Sequence, residues 1–168
     1  MTTPYSTYVL KLVPVNNDSM TMYLNHLGGN EKYYPDNANA GFDLLTSENT
    51  QYNNSGPIRL VNLGVKAIMT NTFTGQNVHF WLAPRSSIWK NGVTLANSMG
   101  VIDRTYRGEL MAACKNETGN MNHTILQGVR LVQIIAPDMG HISKVEICNE
   151  SVLDETARGE GGFGSSGL

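Results

Sequence analysis

Apolar residues in this chain fall in short runs separated by turn-forming residues, which is the pattern of many strands and few helices. Tyr8-Val9-Leu10-Lys11-Leu12-Val13 is aromatic and β-branched and stops at Pro14, so the chain opens with a strand. Residues 16–39 are mostly polar and carry Gly28, Gly29, Asn30, Pro35, Asp36 and Asn37; apart from a candidate β-segment around Met20 to Leu24 they read as loop. Ala40-Gly41-Phe42-Asp43-Leu44-Leu45 sets an acid inside an apolar run, so Asp43 is either a solvated edge residue or a buried acid with a partner. After a turn-rich loop at 49–57, residues 58–70 read as one long strand with Val61, Leu63, Val65 and Ala67 on one face. Val78-His79-Phe80-Trp81-Leu82-Ala83 is another strand, stopped by Pro84, with His79 as a strand-surface histidine. Ser87 as N-cap and Gly92 as stop mark out a short helix over Ile88-Trp89-Lys90-Asn91.

Residues 97–110, NSMGVIDRTYRGEL, follow the grammar of a hairpin. Gly100-Val101-Ile102 runs into Asp103, a polar turn follows at Arg104 and Thr105, and Tyr106-Arg107-Gly108 leads into a second apolar run at 110–114. A carboxylate and an aromatic ring three residues apart at its mouth suggest a pocket. Further strands are predicted over 123–126 and 129–136, around a turn at Gln127-Gly128, and over 142–147. The pattern predicts an all-β sandwich or barrel with one short helix. The glycine-rich end, residues 157–168, has too little apolar material to pack by itself and is predicted to be a mobile arm on a domain spanning 1–156.

At 168 residues the chain is one ordinary domain, and its formal net charge of -2 gives no general attraction for nucleic acid. No apolar run approaches the roughly 18 residues of a membrane span, and the N-terminus lacks the basic and apolar regions of a secretory signal. Cys114 and Cys148 are too few for a disulfide framework and suit a reducing compartment, so a soluble intracellular protein, cytoplasmic or nuclear, is expected. His26, His123 and His141 lie in or beside polar linkers without zinc-ligand spacing, and solvent-facing positions are expected for all three.

Arg, Ser and Gly recur in three segments suited to phosphate. Arg85-Ser86-Ser87 precedes the short helix, where hydroxyls and free backbone N–H groups favour anions. Arg130 and Gln133 share the strand GVRLVQ, where they could equally be an outer face. The glycine-rich end lacks the Lys and the strand-to-helix setting of a P-loop, and by itself it could be a flexible terminus.

Taken in order, AGFDL at 40–44, PRSS at 84–87, NSMGVIDRTYRGE at 97–109, GVRLVQ at 128–133 and RGEGGFGSSG at 158–167 resemble the five motifs of the trimeric dUTPases. The third and fifth are highly specific together. The resemblance implies a distorted jelly-roll, β-clip subunit, a homotrimer with three shared sites, and hydrolysis of dUTP to dUMP and pyrophosphate, limiting uracil incorporation into DNA. It implies that Asn97 and backbone groups near Gly100 and Val101 read the base, and that Tyr106 lies against the deoxyribose. Asp103 would take a proton from the water attacking the α-phosphorus. Arg85, Ser86, Ser87 and Gln133 match phosphate-binding positions. Phe163 would close over the uracil while Arg158, Gly164, Ser165 and Ser166 complete the clamp on the γ-phosphate. Mg2+ would be held by substrate phosphates and water, with no direct protein ligand and Asp43 reaching it through water at most.

Some positions depart from the pattern: Ser87 stands where Gly is usual, Phe42 where Tyr is frequent, Ser166 where Thr is frequent. Arg104-Thr105 replaces a commonly acidic neighbour of the catalytic residue, so a second carboxylate is missing there. Two alternatives remain: a deaminase of dCTP, disfavoured because Ala113 falls where its glutamate belongs, and a non-catalytic dUTPase-like regulatory domain.

Overall fold

The computed structural model describes residues 6–36, 39–53, 56–157 and 159–162. Its strands in chain order are β1 (Thr7–Pro14), β2 (Glu31–Tyr33), β3 (Gly41–Asp43), β4 (Thr50–Gln51), β5 (Ile58–Asn62), β6 (Val65–Asn71) and β7 (Asn77–Val78). They continue as β8 (Phe80–Pro84), β9 (Val93–Leu95), β10 (Gly100–Ile102), β11 (Met111–Asn116), β12 (Thr124–Ile125), β13 (Val132–Ile135) and β14 (His141–Ile147). One sheet runs β2-β14-β1-β6-β7, a second β10-β8-β13-β3, a third β5-β11-β9, and β12 pairs with β4. The β1–β14 pair is parallel; every other pair is antiparallel. Alternation drives the layering: Tyr8, Leu10 and Leu12 of β1 point inward and are buried, against Val65 and Met69 of β6 and Val145 of β14. The all-β, jelly-roll-like expectation holds.

Residues 17–27 of the polar segment after β1 are neither loop nor strand, while its described remainder is loop apart from β2. Those residues form the helix α1 (Asn17–Leu27). Asn16 caps it, accepting the Ser19 backbone N–H at 2.8 Å, and Gly28 ends it at φ 80° with its N–H returned to Leu24 O. Only Ser19, Tyr23 and Leu27, spaced by four, are buried, so the apolar stripe is too thin to stand out from the polar background. The Tyr23 hydroxyl donates to Leu63 O at 2.8 Å, and burial pushes its pKa above the ordinary tyrosine value.

The long strand predicted over 58–70 is two strands in different sheets. Gly64 divides them at φ 67°, and a Cβ there would lie 2.4 Å from Ser19 Oγ. The run at 78–83 is broken likewise at His79, where the chain leaves the β7 sheet for the β8 sheet. The helix after Ser87 is a single 3-10 turn, Ile88–Asn91, without a side-chain cap; Ser87 Oγ accepts from Arg85 Nη1 instead, while Gly92 is the stop expected.

The hairpin at 97–110 is not one. β10 pairs with β8, whereas β11 pairs with β5 and β9. The turn at 104–105 is real, closed by Tyr106 N–H to Asp103 O at 2.9 Å, but it carries the chain between two sheets. Strand partners depend on distant residues, so local alternation could locate the strands without pairing them.

The three histidines are not solvent-facing. His26 Nε2 donates to Asp43 O at 3.0 Å, His123 Nε2 meets Asn91 O at 2.8 Å, and His141 Nε2 meets Tyr34 O at 3.0 Å. Each ring is partly buried and hydrogen-bonds the backbone of another segment. Both cysteines are free thiols, and burial pushes Cys114 up to about 12. Among the described residues, no helix is long and apolar enough to cross a membrane.

Candidate active site

Two inter-sheet connections frame one cavity. Residues 96–99 lead from β9 to β10, and residues 103–110 lead from β10 to β11. Between them lies a space of about 200 Å3, lined by Asn97, Gly100, Val101, Asp103 and Tyr106. One wall belongs to β8 and β10, where Gly100 stands opposite Leu82; the other belongs to β9 and β11. Ser98 adopts a left-handed φ of 61°, which turns the segment carrying Asn97 back toward β10.

Tyr106 is buried, and its hydroxyl donates to Glu109 O at 2.9 Å. Gly108 makes this possible, since a Cβ at that position would lie 2.4 Å from the hydroxyl. Beneath the turn sits a residue that sequence reading passed over. Arg107 is buried, with Nη1 donating to the carbonyls of both Arg104 and Tyr106 at 2.8 Å and Nη2 to Asp154 Oδ1 at 2.7 Å. The guanidinium beside Asp154 holds that carboxyl below the usual range. Only its place inside the YRG triplet could have signalled it. His79 was also missed: Nδ1 lies 3.2 Å from Asp103 Oδ1 and accepts the Arg104 backbone N–H at 3.2 Å.

The phosphate-type residues form a second cluster around β3, β8 and β13. Asp43 is the paired acid of the two alternatives: Arg85 Nε is 2.8 Å and Arg130 Nη1 3.4 Å from its oxygens. Arg85 also donates to Ser87 Oγ at 3.3 Å and to Arg130 O at 3.4 Å. Gln133 stands opposite Asp43 and Ala83 in register and donates to Pro84 O, and Ser86 is exposed. Arg85, Ser86, Ser87 and Gln133 are not among the described residues lining the cavity. Within one chain, therefore, the two clusters are neighbours across β8 but not one site.

The described root of the C-terminal arm makes contacts with the domain. Arg107 N–H donates to Gly159 O at 2.8 Å, Lys66 pairs with Glu160 at 2.8 Å, and Gly162 lines the cavity beside Tyr106. Arg158, Phe163, Gly164, Ser165 and Ser166 lie outside the described residues.

Among the described residues, no group of three or more His, Cys, Asp or Glu side chains converges on a metal position, and Asp43 is engaged by two arginines. This donor set fits a cation carried on substrate oxygens and water better than a protein cage. The remaining acid on the cavity wall, Glu109, directs Oε1 to Gly64 N–H at 2.8 Å, and Ala113 faces the same space.

The family model described as dUTPase matches residues 33–167. The deoxyuridine 5'-triphosphate nucleotidohydrolase of Rickettsia typhi is 36% identical over 147 residues, covering 86% of this chain and 93% of its own length. That of Rickettsia canadensis is 36% identical over 149 residues, covering 86% and 92%. Among solved structures, the dUTPase of Streptococcus mutans gives a TM-score of 0.50 at 32% identity, covering 70% of this chain and 85% of that one. The Staphylococcus bacteriophage 80alpha dUTPase with dUpNHpp gives 0.51 at 17% identity over 95% and 98%, a likeness of fold.

Proposed function

The chain belongs to the dUTPase family and is a hydrolase of dUTP, and on that footing we propose how its residues divide the reaction. The observation that carries the proposal is the cavity itself: Gly100 and Val101 of β10 and Asn97, Asp103 and Tyr106 of the connections on either side of it line one space. Asn97 and the backbone at Gly100 and Val101 read the uracil edge. Tyr106 lies against the deoxyribose and leaves no room for a 2'-hydroxyl. Asp103 takes the proton from the water that attacks the α-phosphorus, and pyrophosphate leaves.

Arg85, Ser86, Ser87 and Gln133 hold the phosphates, with Asp43 fixing the Arg85 guanidinium. Family membership brings a divalent-cation requirement; we take the ion to be Mg2+, which when bound to the phosphate oxygens offsets the negative charge of the leaving group. Residues 157–168 complete the site, Phe163 covering the base while Arg158, Gly164, Ser165 and Ser166 close on the γ-phosphate. The separation of the two clusters within one chain supports a site shared between subunits of a homotrimer. The free thiols support a reducing intracellular setting. Deamination of dCTP is disfavoured, because Ala113 supplies no acid and Glu109 is committed to Gly64.

Incubating the full chain and Mg2+ with dUTP, UTP, dTTP and dCTP, and resolving the products, tests the reading. Pyrophosphate and dUMP are expected from dUTP alone; no pyrophosphate from dUTP, or dUTP made from dCTP, would overturn it. In the Asp103→Asn protein, turnover is expected to vanish while a non-hydrolysable dUTP analogue still binds.

A further inference from the structure

Past Ile147, the end of β14, the chain runs back over its own domain toward the cavity. Cys148 N–H donates to Leu12 O at 2.8 Å, and Glu150 and Glu160 both meet Lys66 of β6 at 2.8 Å. Between those two acids, Asp154 accepts from the Arg107 guanidinium at 2.7 Å and the Thr156 hydroxyl donates to Thr105 O. A turn follows, closed by Gly159 N–H on Thr156 O at 3.2 Å, and it sets Gly159 O against Arg107 N–H at 2.8 Å. Gly162 then lines the cavity, where a Cβ on it would lie 3.3 Å from the Tyr106 hydroxyl. The ion pairs of Lys66 have exposed acids and contribute little by themselves. The weight falls on Arg107, whose buried side chain and backbone N–H are both partnered by this segment.

We propose that the arm of each chain serves the cavity of that same chain. This rests on the reading of a site shared between subunits, and it assigns the shares. One chain supplies the base-reading cavity together with its arm, while a partner supplies Arg85, Ser86, Ser87 and Gln133 for the phosphates. Reach favours this division: six residues follow Gly162, and fully extended they span about 20 Å at most from a starting point on the wall of their own cavity. Competition favours it too. A segment tethered beside its own docking surface is present there at an effective concentration on the order of millimolar. An arm crossing to another subunit would first give up its bonds to Arg107 and Lys66. Thr105 and Arg107, which hold the arm, flank Tyr106 in the chain, so the docked arm and the cavity wall share one support.

Two measurements on the full chain test this. The first needs no turnover. A water-soluble carbodiimide joins an amine to a carboxylate already in contact with it, forming an amide with loss of water, and Lys66 Nζ and Glu160 Oε1 are 2.8 Å apart. After treatment, single chains are isolated on a denaturing gel and their peptides mapped by mass spectrometry. The Lys66–Glu160 amide is expected within single chains; its absence there overturns the proposal. The second uses mixed oligomers of two full-length variants, Asp103→Asn and the double variant Arg158→Ala with Phe163→Ala, co-expressed with different tags and purified on both. Each parent is expected to turn over dUTP at least about tenfold more slowly than wild type. With each arm acting on its own chain, no site in the mixture combines an intact cavity with an intact arm, and the mixed oligomers stay as slow as their parents. Arms that cross between chains would restore about one site in three of a mixed trimer. That recovery, or a double variant as active as wild type, overturns the proposal. If the wild-type protein leaves dUTP intact, the assignment of function fails; if no mixed oligomer forms, the shared-site reading fails. In either case the cross-link still decides which cavity the arm attends.

Discussion

Asp43 offers one carboxylate oxygen to Arg85 Nε at 2.8 Å and the other to Arg130 Nη1 at 3.4 Å, so a single acid joins strand β3 to the segments following β8 and preceding β13. Its work is geometric: it aims a guanidinium that would otherwise sample several rotamers. Replacing Asp43 by Asn removes the charge and keeps the shape. A loss of about tenfold in kcat/KM for dUTP is expected, equivalent to about 1.4 kcal/mol, with the melting temperature little changed. Steady-state kinetics beside a thermal melt would decide it, and unchanged kinetics would remove Asp43 from phosphate positioning.

Arg107 holds the turn from beneath, with two carbonyls on Nη1. In Arg107→Ala the buried Tyr106 carbonyl and the partly buried Arg104 carbonyl lose their donor, and destabilisation of about 2 kcal/mol is expected in urea titration. Arg107→Lys should recover part of the stability but less of the activity, because one ammonium cannot hold both carbonyls and Asp154 in the same geometry.

Removing residues 157–168 should lower dUTP turnover steeply while the remaining domain stays folded. The truncation forfeits the Gly159 and Glu160 contacts, so a fall in Tm of a few degrees is expected. A fall of more than about 10 °C would instead make the arm part of the core.

Gly64→Ala places a Cβ 2.4 Å from Ser19 Oγ and 2.7 Å from Ser47 Cβ at a φ of 67°. The left-handed conformation alone costs about 1 kcal/mol or more for a residue with a Cβ, and the crowding against α1 adds to it. Calorimetry should show a lower Tm, and an unchanged Tm would mean that the β5–β6 break does not need glycine.

Stability should also fall on mild acidification through His26. Burial holds this ring below its ordinary pKa, an effect that its bond to the Asp43 carbonyl and the Asp43 charge only partly oppose. The unfolded chain therefore binds the proton more readily than the folded one. The contribution is complete above the unfolded value of about 6.5 and is lost as pH falls through the lower folded value. Between about pH 7.5 and 5.5 the wild-type Tm should drop further than that of His26→Gln; parallel drops would exclude His26 as the cause.

Most strands and the residues around the cavity were legible in the sequence because β1 carries its alternation locally, because β11 is a short apolar run, and because 97–110 concentrates polar chemistry in a few positions. α1 escaped because its buried face is Ser19, Tyr23 and Leu27, one of them polar, and its boundary signals, Asn16 and Gly28, also suit a loop. The break at Gly64 lies between buried Leu63 and Val65, and that at His79 between partly buried Val78 and buried Phe80, so an apolar run alone cannot reveal a change of sheet. The contacts of Arg107 with Asp154 and of His79 with Asp103 join residues far apart in sequence, and no local rule reaches them.

The parallel pairing of β1 with β14 sets an order of events during synthesis. β1 can pair with β6 as soon as residue 71 has emerged, but its other edge, Thr7 to Leu12, finds its partner only in residues 141–147. Until then a strand rich in Val and Leu has one unpaired edge, the kind that templates association with another chain. Such high contact order makes folding slow, and the nascent chain should be most prone to aggregate in the interval before its last strand arrives.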